Sequence, residues 1–458
     1  MGSRQHKQAR LSARVVEDED YQVRYERCAG IDVAKASGVA CVRLPAVREG
    51  GKRVSVIETV AATVPAIAAL AGRLAADGVA MVSMESTSDY WRIWYVVLEA
   101  AGLGVQLVNS SQARQLAGRP KTDSHDAQWL ARLTEMGLLR PSFVPPAQIR
   151  ELRDYTRMRV RLVQDRTREW QRLEKLLEGA LVKLSSAVSS LATASARAMI
   201  EAMIGGERDP VRLADLARGS MRARRDQLVQ ALTGSLFGAH HGELARMHLD
   251  HITFLDRQVA ALDDSITACL DRIPRSWGVD AAGVPGPDPG PGAAVLPAVQ
   301  RLAEIPGVSR DLAMAIIAET GLDMTRFPTA AHLVSWAGLA PVASQSGPRT
   351  RKGKKGQGDA YLRGACTQAA NGTAKTDTFL GERLRRITRR RGGKIARTAV
   401  ARSILIIIWH LLKNPEARYT DLGPDWHHRK TDKDKKTRGH IRQLQALGYD
   451  VTITPRAA

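Results

Sequence analysis

Apolar residues near the start of the chain fall in short runs with the spacing of strands, and further along they recur at the spacing of helices. Cys28 to Val33, Val39 to Leu44 and Arg53 to Glu58 read as three successive strands. A helix over Val64 to Ala76, a strand over Ala80 to Met84, a helix over Tyr90 to Ala101 and a strand over Gly104 to Asn109 follow. The stretch AQWLARLTEMG then predicts a helix with Asp123 and Asp126 at its start. Three strands in succession, then helices alternating with strands, predict a mixed α/β layer.

Beyond Pro145-Pro146 the pattern is helical. Ile149 to about Leu191 is rich in Arg, Leu and Glu, and Leu244 to Ile273 repeats the signal, which predicts a long antiparallel helical hairpin or coiled coil. GVPGPDPGPGAAVLP, from Gly283 to Pro297, is too rich in Pro and Gly for a packed core and reads as a linker. The expected fold class is therefore α/β plus all-α. A flexible arm (1–26) precedes a ribonuclease-H-like domain (27–146), a helical coiled-coil domain (147–275), a Pro/Gly linker (276–299), a mainly helical domain (300–415) and a basic C-terminal tail (416–458).

Charge changes this picture. Across 458 residues, 68 Lys and Arg stand against 47 Asp and Glu, a net charge of +21 that suits a polyanionic partner. Pro341 to Val400 alone holds 15 basic and 3 acidic residues, or +12. Arg349, Arg351, Lys352, Lys354, Lys355 and the run Arg389, Arg390, Arg391 are the candidate nucleic-acid contacts. Cys28, Cys41, Cys269 and Cys366 are far apart and form no CxxC pair, which argues against a zinc ribbon or a disulfide framework. No secretory signal pattern opens the chain, and the apolar run Ser403 to Trp409 is too short to span a bilayer, so it reads as a buried helix. The expected setting is the cytoplasm, with no membrane partner.

In so basic a chain, acids at strand ends stand out. Asp32 in GIDVAK and Glu85 in VSMEST each follow an apolar strand, and Asp123 and Asp126 in KTDSHDA share one helix face. Acids also end strands and cap helices, and Asp123 could be an N-cap. Gathered together, the four would raise one another's pKa, and a divalent ion would reverse that cost. Hard oxygen ligands favour Mg²⁺ or Mn²⁺. Two further elements carry possible chemistry. Ile305-Pro306-Gly307-Val308-Ser309 before a helix has the form of a helix-hairpin-helix turn that aims N–H groups at a phosphate, and equally that of an ordinary Pro-Gly helix connection. Ser346 in SQSG precedes the densest basic run and could be a nucleophile, although generic Ser-Gly turns are common and Ser344 is close by.

GIDVAK, MEST, KTDSHDA, IPGV, WAGLAP, SQSG and GDAYLR, in this order from about residue 27 to about residue 413, resemble the DEDD transposases of the insertion-sequence one-ten family. The resemblance implies a RuvC-like domain with Asp32, Glu85, Asp123 and Asp126 as metal ligands, a coiled coil, and a second transposase domain with Ser346 as nucleophile. It further implies donor and target DNA as substrates, a structured bridge RNA as guide, and a homo-oligomer, dimer or tetramer, working on the bacterial nucleoid. The residues themselves leave two other readings open: a RuvC-like nuclease that hydrolyses with water, and a basic nucleic-acid-binding protein without catalysis.

Overall fold

The computed structural model describes residues 23–46, 53–85, 88–109, 123–273, 296–340, 343–346, 349–352, 358–426 and 433–452. The chain divides into two compact units, Met1–Val144 and Pro145–Ala458.

In the first unit, β1 (Cys28–Val33), β2 (Ser37–Leu44) and β3 (Val54–Ala61) pair antiparallel, while β4 (Met81–Glu85) and β5 (Val105–Val108) run parallel to β1, in the order β3-β2-β1-β4-β5. All five expected strands form. β2 and β3 extend beyond the apolar runs because they pair residue for residue from Ser37↔Ala61 to Leu44↔Val54, so the ladder recruits polar ends.

Strand alternation gives the sheet two different faces. Ala29, Ile31 and Val33 of β1, with Val82 and Met84 of β4, join a core shared with α1 (Val64–Ala76) and α2 (Trp91–Ala100), chiefly Ile67, Leu70, Leu74, Trp94 and Leu98. The alternate positions Cys28, Gly30 and Asp32 face the opposite side with Ser83 and Glu85, and there α3 (Asp123–Glu135) lies against the sheet. A Cβ on Gly30 would stand 2.7 Å from Ala127 O and closer still to Ala131 N, so glycine is what lets the helix backbone sit on β1. Ala127 and Ala131 are fully buried, small side chains at this contact. Gln106 Nε2, Ser83 Oγ, Thr134 Oγ1 and Leu130 O continue the seam as a hydrogen-bond chain with spacings of 2.6, 2.6 and 2.7 Å. At the helix end, buried Glu135 pairs with Arg43 at 2.5 Å and with Arg53.

Among its described residues, the second unit is helical apart from one hairpin. Helices α4 (Ala147–Gly179) and α9 (Ala239–Asp271), each 33 residues, run antiparallel, as Arg272–Glu151 (2.6 Å), Arg159–Asp263, Arg166–Asp256 (2.6 Å) and His248–Glu169 (2.9 Å) require. Ile149, Leu152, Thr156, Arg159, Val163, Arg166, Trp170, Leu173 and Leu177 step along α4 by threes and fours, so the middle of this stripe is ionic rather than apolar. The chain between the two helices is not a simple turn. α5 (Leu184–Ala187), α6 (Ala194–Ile204), α7 (Pro210–Ala214) and α8 (Arg225–Leu232) form a cap with its own core around Leu177, Met199, Ile200, Leu228 and Leu249.

Then come α10 (Ala298–Ala303), α11 (Arg310–Thr320), α12 (Ala330–Trp336), the hairpin β6 (Ala343–Ser346) and β7 (Arg349–Lys352), α13 (Ala360–Gly372), α14 (Phe379–Arg391), α15 (Gly393–Lys413) and α16 (Lys433–Ala446). α15 corrects the reading of its apolar run as short. At 21 residues with a mean hydropathy of 1.6 it is long and apolar enough to cross a membrane, yet Val400, Ala401, Ile404, Leu405, Ile408 and Leu412 are buried within this unit. It behaves as a core helix, and Trp409 Nε1 donates to Phe327 O at 2.8 Å.

Gly30→Ala should destabilise the chain by about 1–3 kcal/mol, the usual cost of forcing an extra carbon into a packed contact. Gly72→Ala, in α1 with open space around its Cβ, should instead gain about 0.5–1 kcal/mol. Urea midpoints of the two variants check this; equal shifts would mean α3 does not bear on Gly30.

Candidate active site

Asp32 and Glu85 stand at the C-terminal ends of adjacent parallel strands. Ile31 pairs with Met84 in the ladder, and each acid is the next residue in its own strand. Both fall on the α3 face by alternation, and Glu85 is 7% exposed. Helix α3 runs opposite to β1, since Glu135 is held by Arg43, which pairs with Cys28, while Ala127 and Ala131 straddle Gly30. Its first turn therefore comes to the strand ends. From the level of Gly30, Asp32 lies about 6.6 Å along the strand. Along the helix, Asp126 lies about 4.5 Å and Asp123 about 9 Å from the same level. Three elements thus bring the four acids to one edge of the sheet by backbone register.

The side chain of Asp123 lies outside the described residues. Among the described residues, no group of three or more His, Cys, Asp or Glu side chains stands ready to hold a metal. The donor set itself fits a hard cation. A pair of like charges about 4 Å apart costs about 4 kcal/mol near a protein surface. A cap returns only about 1 kcal/mol. Were the four carboxylates drawn together at this edge, capping could not offset their repulsion, whereas a divalent ion held by oxygen donors could.

Ser346 ends β6 and Ser344 lies two residues before it. Ser346 pairs with Arg349 and Ser344 with Arg351, so register gives each serine an arginine opposite and does not separate them. Arg349, Arg351 and Lys352 are on β7; Lys354 and Lys355 lie outside the described residues. The base of this hairpin is built with care. Gly358, at φ +50°, lies so close to WAGLAP that a Cβ would come 2.5 Å from Gly338 N, which joins the chain before β6 to the chain after β7.

Asp359, next in sequence, caps α13 by accepting from Leu362 N at 2.7 Å and pairs with Arg157 of α4 at 3.1 Å. Arg157 also makes a bidentate contact with Glu319 of α11, 2.8 Å at each oxygen, and its guanidinium lies 4.6 Å from the Tyr361 ring centre. Arg153 donates to Ala318 O (3.0 Å) and Glu319 O (2.7 Å). Burial pushes Glu319 up, against the pull of its Arg157 hydrogen bonds and Arg153. Burial likewise opposes the Arg157 charge, but Glu319 and Asp359 prevail and raise it. With two guanidiniums in contact, the ionised carboxylate is the form this geometry fits. This network was not foreseen from the sequence. The only local signal was Asp359 as the cap in GDAYLR.

Gly307, at φ +87°, is pressed onto α13, where a Cβ would fall on Ala369 O and 3.1 Å from Thr373 N. The α11 N-terminus is capped by Ser309, which accepts from Leu312 N at 3.3 Å, and carries Asp311 paired with Arg159 at 3.0 Å. The IPGV turn thus packs closely on α13, and Asp311 stands in the first turn of the helix that follows it. Of Arg389, Arg390 and Arg391, all exposed, Arg389 pairs with Glu382 at 3.0 Å. All four cysteines are buried and free, and burial pushes Cys28 and Cys366 up to about 12, so neither supplies a thiolate at neutral pH.

A DEDD transposase model of the IS110 type matches residues 29–182, and a model described as transposase IS116/IS110/IS902 family matches residues 299–384. The chain belongs to the IS110 family of transposases. A probable family 20 transposase of Pseudomonas aeruginosa is 23% identical over 338 residues, covering 72% of this chain and 83% of the relative. The RuvC structure of Thermus thermophilus aligns with 25% of this chain and 99% of its own at 16% identity and a TM-score of 0.21. In this transposase the first matched segment contains all four acids and the second contains Ser346 and the base of its hairpin.

Arg157→Gln should cost about 2–3 kcal/mol, less than the roughly 3–5 for a fully orphaned buried charge because Arg153 still touches Glu319. The deficit should depend on pH in one direction. A folded carboxyl raised above its ordinary 4.5 holds more protons than the unfolded one, so stability falls as pH rises through the raised value. Without Arg157 that value climbs further, so the deficit should shrink toward acid pH and widen above it. Denaturant titrations from pH 4 to 8 measure this; a constant deficit would mean that Glu319 does not titrate against Arg157.

Proposed function

We propose that this transposase is a site-specific DNA recombinase in which Asp32, Glu85, Asp123 and Asp126 of a RuvC-like domain hold Mg²⁺ or Mn²⁺ and Ser346 is the nucleophile. The observation that carries the reading is the convergence of β1, β4 and the first turn of α3, each bearing its acid, on one edge of a sheet in a chain of net charge +21. A divalent ion there would neutralise charge on the phosphoryl oxygens and lower the cost of deprotonating a hydroxyl. Ser346 Oγ would attack the scissile phosphorus; its proton leaves, the bond from phosphorus to the leaving oxygen breaks, and that oxygen takes up a proton. The phosphoserine diester keeps the bond energy, and an incoming DNA hydroxyl reverses the step and frees the serine.

Arg349, Arg351, Lys352, Lys354, Lys355 and Arg389 to Arg391 would hold backbone phosphates. Gly358 against Gly338, with the Arg157–Asp359 pair, gives the serine hairpin a fixed base, as a nucleophile that must meet phosphorus in line requires. The heptad stripe of α4 against α9 suits a coiled coil. Guidance by a structured bridge RNA, donor and target DNA as substrates, a dimer or tetramer, and action in the bacterial cytoplasm on the nucleoid belong to the same reading.

Ser346→Ala should abolish the protein–DNA adduct that survives denaturation, and Ser344→Ala should keep it; mass spectrometry of trapped complexes identifies the modified residue. Full recombination by Ser346→Ala would overturn the serine assignment. Strand cleavage without any adduct would indicate a hydrolase that uses water.

A further inference from the structure

Helices α14 and α15 form a hairpin about Gly392, at φ +82°, and five of their eight arginines fall into two groups, with Arg390, Arg391 and Arg397 in neither. One group is neutralised: Glu382 pairs with Arg385 and Arg389, both at 3.0 Å, and Asp377 lies 3.5 Å from Arg385. The other group is Arg383 and Arg386 on α14 with Arg402 on α15. Among the described residues these three have no ion pair. The Nε atoms of Arg383 and Arg386 are buried without a hydrogen-bond acceptor. A guanidinium donates only, so nothing within the trio can satisfy them.

We propose that Arg383, Arg386 and Arg402 form a binding site for a phosphodiester group of a nucleic-acid backbone. Like charges held together without an acid cost stability unless an anion completes them, and a phosphate oxygen accepts from several guanidinium forks at once. Burial and the neighbouring Arg386 and Arg402 hold the Arg383 guanidinium below the ordinary arginine value, which is the sign of that uncompensated charge. If these arginines only packed their stems against apolar neighbours, acids could pair with them at no loss, as they do one row away on the same helix. The trio differs from the exposed tip Arg389 to Arg391, since two of its members are partly buried with their donors preset. The proposal rests on the reading of this chain as an enzyme of nucleic acid, but the affinity for phosphate can be tested without recombination.

The experiment uses the full chain and its Arg383→Gln/Arg386→Gln/Arg402→Gln variant, with Arg402→Gln alone as the mild exposed change and Arg385→Gln as a paired-arginine control. In anion-poor buffer the triple variant should melt at or above the wild-type temperature, because repulsion has gone. Inorganic phosphate should raise the wild-type melting temperature with saturation and leave the triple variant unmoved. Duplex DNA and structured RNA are then titrated against salt. The slope of log affinity on log salt should become shallower by about 2–3 for the triple variant and by about 1 for Arg402→Gln, and should not change for Arg385→Gln. Loss on the DNA arm, the RNA arm or both identifies the source of the phosphate. A triple variant that melts lower without anion and keeps both slopes overturns the proposal, as does an unchanged slope in Arg402→Gln if the triple variant does not fold.

Discussion

The absence of a side chain at Gly30 is the constraint on which the first unit depends. With no Cβ there, the backbone of α3 reaches β1 between Ala127 and Ala131, and the Thr134–Ser83 and Glu135–Arg43 contacts set its direction. Direction is what matters chemically, because it turns the first helical turn, with Asp123 and Asp126, toward the strand ends that carry Asp32 and Glu85. A helix docked the other way round would bury the same alanines and leave the acids at opposite ends of the sheet.

The second unit solves a similar problem with charge. The hairpin that bears Ser346 is short and polar, so it has little apolar area to hold it. Its base is fixed instead by backbone contact at Gly338 and Gly358 and by the Arg157 guanidinium, which joins Glu319 and Asp359 across three helices. Fully satisfied, such a network gives a defined geometry; half-satisfied, it costs stability. The Nε donors of Arg383 and Arg386 are the opposite case, buried groups that the fold leaves unsatisfied.

The strands and the α1, α2 and α3 helices were legible because their apolar periods are local. The cap between α4 and α9 was not, because its small helices share a core with distant Leu177 and Leu249 and show no long period of their own. The acids could be singled out by type and position, but their common edge depends on a close approach at Gly30 that no spacing records. The packing of Gly307 was not legible for the same reason: IPGV suits a phosphate turn and an ordinary helix connection alike, and only its tertiary neighbours Ala369 and Thr373 show how closely the turn sits on α13. Arg157 is, in the sequence, one of many arginines in a helical stretch, and its partners lie 162 and 202 residues away.

The convergence of acids on the β1 and β4 edge is most directly tested by Mn²⁺ affinity, read from the spin-resonance signal of free ion in titrations of the wild type, Asp32→Asn and Glu85→Gln. Acids from separate elements that share one ion predict that each substitution weakens binding at least about tenfold. Equal affinity in all three proteins would contradict a metal site at this edge.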